Sequence, residues 1–510
     1  MKWLRKGLFA VAVATPFVAI ADFDGPAPVA WRWAQPTSAS PAGSPIIDSD
    51  NVFVAVGGRI YCMDKSTGNT KWRFPLAEPL ESNFRSGAVM GKGMVVAASD
   101  NRTVYAVDSS SGKLLWQHTS ENSIATNPVI AGNHVVFGTL PGGAMSLDAA
   151  NGQPEWKEPV KLKGAPYPNC VAWQDSVIMI TNEPAVISLN PASAKLNWSV
   201  AAGSMNGSSV PAIFGDTVFL NTGYYLTAVR AQTGSKKWDV RMDEPLAFGP
   251  AAGDHGVAVV SQTGTLYTFD TQGHFMFKKG VKLGASPSSQ PSFVGKLVSV
   301  GAENGSLNII DPRSGELVFN YVVPPLFKGA MVSGSDSKET EVKYVNVAGP
   351  ATTAGDTMLV LARDGSLLAF DKKVGVDLTA PNVSMIWPTA GDQVNGQPPL
   401  EVWFKIEDAA SGINPASVGV KVGGTDYAGS YLKDGYLWFK ISTSGPNRPL
   451  SEGRAEITVT AADWMGNKTE AKFVLNVDST IPAIGGPPRK DSDAGSSPGG
   501  GFGKGGKGGG

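Results

Sequence analysis

The sequence predicts an all-β chain: an eight-bladed β-propeller closed by an N-terminal strand, followed by a β-sandwich. Three observations carry that prediction. A turn motif recurs at a period near 40 residues, each copy is set among four short β-type segments, and a differently patterned stretch follows the last copy.

The motif is an anchor residue, a glycine four residues on and a tryptophan eight residues on. It reads Asp64, Gly68, Trp72, then Asp108, Gly112, Trp116, then Asp148, Gly152, Trp156. Asn190, Ala194 and Trp198 form a degenerate copy, and Arg230, Gly234 and Trp238 another. Asp270, Gly273 and Phe277 are one residue shorter, Asp311, Gly315 and Phe319 restore the spacing, and Asp371 with Gly375 begins an incomplete eighth copy. Successive anchors lie 44, 40, 42, 40, 40, 41 and 60 residues apart. In each copy an opening strand begins near a residue such as Pro45, Pro128 or Pro211. A β-branched run follows, a third strand ends at the anchor, and a fourth carries the aromatic residue.

The turn has a physical logic. The anchor side chain accepts backbone N–H groups two residues on, the glycine takes positive φ without steric cost, and the aromatic ring fills the gap between neighbouring blades. The column two before each anchor is mostly small, and Cys62 belongs to it, whereas Cys170 lies in an opening strand three blades away. That separation exceeds disulfide reach, so both thiols are expected free. The eighth copy lacks an outer strand, and residues 29–33 supply it. Trp33 stands 12 residues before Pro45, as Trp116 does before Pro128, so Trp33 is the expected docking ring of the closing strand.

This anchor, glycine and tryptophan pattern resembles the tryptophan-docking repeat of pyrroloquinoline-quinone (PQQ) type propellers, over residues 29–375. Two classes share the repeat. The quinoprotein alcohol dehydrogenases imply a vicinal Cys-Cys disulfide, a calcium site and a catalytic Asp. Here the two cysteines are 108 residues apart, no Cys-x-x-Cys-His haem attachment exists, and blades near 40 residues leave little inserted material for a cofactor chamber. The compact non-catalytic class, which includes the outer-membrane assembly lipoprotein BamB, fits better. Its lipid-bearing Cys is missing here, and a second domain is added. The resemblance therefore implies a binding or scaffolding protein without catalytic residues or cofactor. A PQQ-dependent dehydrogenase and a carbohydrate-active surface protein are the alternatives.

Binding is expected on one face. The loops between second and third strands and the long connection after Phe319 share it, and they carry Arg102, Glu183, Tyr224, Glu303, Lys338 and Arg363. For each of these side chains an ordinary solvated turn is the competing role. The four histidines show no metal-ligand spacing, and no loop carries a phosphate-binding or nucleophile motif.

Residues 377–482 change pattern to alternating segments with turn signals, and resemble bacterial immunoglobulin-like modules through Asp408–Asn414 and Ala462–Asn467. Asp408 and Asp463 are candidates for calcium, with turn capping the competing role. Residues 483–510, rich in glycine, read as a disordered tail. At the other end, Lys2, Arg5 and Lys6, the apolar run from Gly7 to Ile20, and Ala19 and Ala21 before Asp22 predict a signal peptide over 1–21. The mature protein is thus expected outside the cytoplasm, periplasmic or at the cell surface, as a monomer with a protein or glycan partner. A net charge of -1 and the absence of Lys/Arg runs argue against nucleic acid, and no later segment is apolar for long enough to span a membrane.

Overall fold

The computed structural model of the chain describes residues 22–487, apart from 36, 38–39, 42, 85–86, 168, 184, 202–209, 327–330, 334–338 and 342. The predicted signal peptide and Lys338 lie outside the described residues. The chain divides into two compact units, the first ending at Val376 and the second beginning in the main at Asp377.

Between Val29 and Phe370 the described residues form eight four-stranded antiparallel sheets. Blade 1 comprises Ile46–Asp48, Asn51–Val56, Arg59–Asp64 and Thr70–Phe74, and the others repeat this order. The second and third strands are buried on both faces, as in Met94–Ala98, because each sheet is covered by a neighbour on either side. This is why they read as unbroken apolar runs. One cluster joins Val96, Ala106 and Trp116 of blade 2 to Val135, Phe137 and Leu147 of blade 3. Blade 8 contains Thr352–Ala354, Thr357–Leu361 and Ser366–Phe370, and Val29–Ala34 pairs with the last of these to complete it. The ring is therefore closed by the N-terminal strand.

The anchor turns form as their residue types dictate. Asp64 Oδ1 accepts the backbone N–H of Ser66 at 3.0 Å and of Thr67 at 3.1 Å, and Gly68 N–H donates to the Asp64 carbonyl at 2.8 Å. Gly68 has φ +71°, and a Cβ there would stand 2.6 Å from the Trp31 indole. Gly112 has the same relation to Trp72, Gly152 to Trp116, Gly234 to Trp198, and Gly315 to Phe277. Each ring thus lies flat on the turn of the next blade. The indole N–H then donates to the carbonyl of the residue after that blade's anchor, as from Trp116 to Ala149 at 2.9 Å and from Trp198 to Ala231 at 2.9 Å.

Three positions depart from the expected pattern. The docking ring of the closing strand is Trp31, not Trp33. Trp31 pairs with Ala369, two before the Asp371 anchor, just as Trp116 pairs with Ala106, and it donates to Lys65 O at 2.8 Å. Counting back from Pro45 fails because the connection after the closing strand has its own length. Trp33 instead meets Tyr61 edge-on at 4.8 Å. At the eighth turn, Gly375 faces Pro28, while Phe319 is wholly buried elsewhere. In blade 3, Pro154 and Pro159 remove two backbone donors, and the outer strand survives only as Val160–Lys161. Trp156 is buried there, but its indole N–H finds no partner.

The second unit is a two-sheet sandwich. One sheet runs Asn382–Trp387, Glu401–Glu407, Tyr436–Lys440, Ser430–Tyr431. The other places Gly453–Ala462 between Lys468–Val477 and Gly419–Val422. Their inner faces share a core of Val402, Phe404, Ile406, Leu437, Phe439, Ile457, Val459 and Leu475. Ile484 packs against this core, and Trp387 Nε1 donates to Gly485 O at 2.9 Å, so the sandwich extends past 482 into the stretch read as tail.

Cys62 and Cys170 are both buried free thiols. Burial pushes their pKa up, to about 11 for Cys62 and about 12 for Cys170.

Candidate functional site

Before each opening strand the chain crosses the end of the preceding hairpin. Single bridges join Phe84 to Ser99, Ile124 to Thr139, Leu246 to Ser261, Pro287 to Ala302 and Val347 to Ala362. The first loop residue then donates its N–H to this crossing segment, as from Asp100 to Asn83 O, Glu303 to Ser286 O and Arg363 to Asn346 O. Asn and Asp side chains pin the same loops from within: Asn101 Oδ1 accepts Thr103 N–H, and Asp364 Oδ1 accepts Ser366 N–H at 2.9 Å. One ring of short, tethered loops results, which limits the ordering cost of binding there.

Of the sequence-derived face residues, the structure brings two together. Arg363 and Glu303 form an ion pair of 3.1 Å between blades 8 and 7. Arg363 also donates to Ser288 O at 3.0 Å, and Asn346 Nδ2 donates to the same glutamate. Arg102, Glu183 and Tyr224 stand on blades 2, 4 and 5, one to a loop. Arg102 has φ +69° and donates to Glu121 O at 2.9 Å. Tyr224 is 48% exposed and Tyr225 40%.

Glu244, before the opening strand of blade 6, is a feature of this face that the sequence does not advertise. Its carboxylate accepts Ser261 Oγ at 2.6 Å and the Thr263 hydroxyl, with Lys282 Nζ at 3.4 Å. Hydrogen bonds from Ser261 and Thr263, assisted by Lys282, hold its pKa down at about 2. These partners lie on one loop and one strand distant from it in the chain, so no local spacing marks it.

The crossing segments then descend into the ring and line a cavity of about 740 Å³. Its walls include Gly87, Asn127, Cys170, Phe248, Ser289 and Gly349, and Asp100 is the only charged residue among the described lining residues. Ser288, 3% exposed, lines the same cavity with a hydroxyl that has no partner. The volume suffices for a quinone, but the chemistry does not match. Pyrroloquinoline quinone carries three carboxylates, and burying them without a cationic partner is costly. Among the described lining residues there is no Lys, Arg or His, and there are no adjacent cysteines.

In the second unit, Asp408 and Asp463 are brought together, and Asp377 joins them. One oxygen of each lies within 4.8 Å of the others. Each also caps a turn: Asp408 Oδ1 accepts Ser411 N–H at 2.7 Å, Asp463 Oδ1 accepts Met465 N–H at 2.8 Å, and Asp377 Oδ1 accepts Thr379 N–H at 3.0 Å. Burial, and then the two neighbouring carboxylates, raise the pKa of Asp408.

A closed ring of four-stranded blades, held by anchor turns and docked rings, defines an eight-bladed propeller of the PQQ-like type. Comparison with known proteins agrees. The family described as outer membrane protein assembly factor BamB matches residues 19–167 and 182–335, and the chain belongs to that family. The outer membrane protein assembly factor BamB of Yersinia pestis is 22% identical over 360 residues, covering 62% of this chain and 80% of that protein. Among solved structures, BamB from Moraxella catarrhalis superposes with a TM-score of 0.52 at 14% identity, covering 68% of this chain and 98% of the other. The computationally designed Ika8 protein gives a TM-score of 0.50 at 15% identity, over 69% and 99%. These likenesses reach the propeller's share of the chain and establish its fold.

Proposed function

We propose that this protein is an exported, monomeric scaffold that holds a protein partner on the loop face of its propeller, as an assembly factor does. The observation that carries this is the ring of tethered loops bearing paired and exposed side chains, Glu303 with Arg363 above all. Family membership supports a binding role without chemistry. We assign the second unit, 377–482 with its short extension, as an immunoglobulin-like spacer.

Photo-crosslinking tests the reading. A crosslinking side chain is placed at Arg102, Glu183 or Tyr224 of the mature chain, and as a control at Lys113 in an anchor turn. Adducts with one envelope protein from the three loop positions, reduced by Arg363→Glu and absent at Lys113, are expected. Equal labelling at Lys113, or none at the loops from a cooperatively folding protein, would retire the proposal.

A further inference from the structure

The outward face of the four-stranded sheet in the second unit is aromatic. Along Glu401–Glu407 the residues alternate, with Val402, Phe404 and Ile406 buried and Trp403 and Lys405 outside. In Tyr436–Lys440, Leu437 and Phe439 are buried while Tyr436 and Trp438 face out. The strand register places Trp387 opposite Trp403, and Trp403 opposite Trp438. Three indoles therefore form one row across three adjacent strands, spanning about 10 Å at the usual strand spacing. A bulge between Met385 and Trp387 produces this alignment: Met385 pairs with buried Phe404 and packs toward the core, yet Trp387, two residues on, pairs with outward Trp403.

An antiparallel sheet face open to water ordinarily carries polar residues, so a row of three part-exposed indoles marks an interaction surface. The rings are held in place. Trp403 and Trp438 stack at 5.3 Å with planes 11° apart, Trp403 Nε1 donates to Glu401 at 3.1 Å, and Trp387 Nε1 donates to Gly485 O. With those two N–H groups engaged, Trp387 and Trp403 offer mainly π surface. The flanking charges select the occupant. Glu401, Glu407, Lys405 and Lys440 balance, so neither an anionic nor a cationic chain is favoured. Lys405 Nζ already lies 4.3 Å from the Tyr436 ring centre and donates to Asp434 O. An uncharged partner with flat apolar faces and a rim of hydroxyls is what this combination recognises.

We propose that the row of Trp387, Trp403 and Trp438 binds a neutral glycan chain, with sugar rings seated on the indoles and hydroxyls bonded to Glu401 and Lys440. This does not depend on what the propeller holds.

The test titrates the mature full-length chain with chitotetraose and cellotetraose, read by tryptophan fluorescence and calorimetry. Saturable binding of at least one is expected. Trp438→Ala should weaken it about tenfold, the order of magnitude of one lost stacked ring. Glu401→Gln, which keeps the shape of the site, should weaken it severalfold while thermal unfolding stays cooperative, so the test survives if the tryptophan variant does not fold. Three outcomes overturn the proposal: a folded protein that binds neither oligosaccharide, affinity unchanged in both variants, or a fluorescence change produced only by phosphatidylcholine vesicles.

Discussion

At Ala194 a methyl group stands where the regular turns carry glycine, beside the irregular outer strand of blade 3. The residue has φ +62°, and glycines at the equivalent turns leave a Cβ no room beside the docked ring. Ala194 packs against the cluster that contains Trp156, the buried indole left without an N–H partner. Ala194→Gly removes the left-handed strain and lets Trp156 settle on its turn, so stability should rise by about 1 kcal/mol in urea unfolding. Trp116→Ala, at a regular turn, should instead cost about 3–5 kcal/mol. The anchor carboxylates set a pH dependence. Hydroxyl and backbone donors at Ser110 and Ser111 hold Asp108 down to about 2 from an ordinary 3.8, and Asp64 and Asp311 are lowered likewise. A depressed folded-state pKa gives stability that is present above about pH 4 and lost as pH falls toward 2. The urea midpoint should fall across that window, and less steeply in Asp108→Asn. Residues of this kind were legible in the sequence because an anchor turn is local: donor, acceptor and glycine lie within five residues. Glu244 and Asp377 were not, since their partners come from distant strands or turns.

Among the strands, legibility followed the same division. The second and third strands of each blade were evident from apolar runs buried on both faces. The outer strands were placed by the motif, and where local chemistry intervened the placement slipped. Two prolines broke the outer strand of blade 3, and the closing strand set its register from pairing with Ser366–Phe370 rather than from its distance to Pro45. The indole row in the second unit escaped notice because Glu401–Glu407 and Tyr436–Lys440 carry aromatics on both faces. Alternation in such strands becomes visible only when one face is known to be buried. The closing strand gives a prediction of its own. Trp31→Ala removes the ring that docks on the Gly68 turn, whereas Trp33→Ala removes one edge-on contact with Tyr61. The first should lower the thermal midpoint more than the second, and the reverse order would restore the register counted from Pro45.

For the molecule as a whole, the propeller's interior shields both of its cysteines. Both thiols are buried with raised pKa, so neither should react with a maleimide in the native protein at neutral pH, while both should react after denaturation; mass spectrometry distinguishes the cases. Calorimetry with PQQ and calcium should show no saturable binding, because the described lining residues include no Lys, Arg or His to meet its carboxylates and a single carboxylate, Asp100, to hold the calcium. The pairing of Val29–Ala34 with Ser366–Phe370 carries a further meaning in time. Ribosomes deliver a chain from its beginning, so the segment that locks the ring emerges first and waits for its mate through more than 300 residues of synthesis. A prematurely terminated product can fold several blades yet never find that mate, and it displays two unsatisfied sheet edges to whatever surveys unfinished proteins. The latch thereby reports completeness: only a molecule read through to its eighth blade hides its ends.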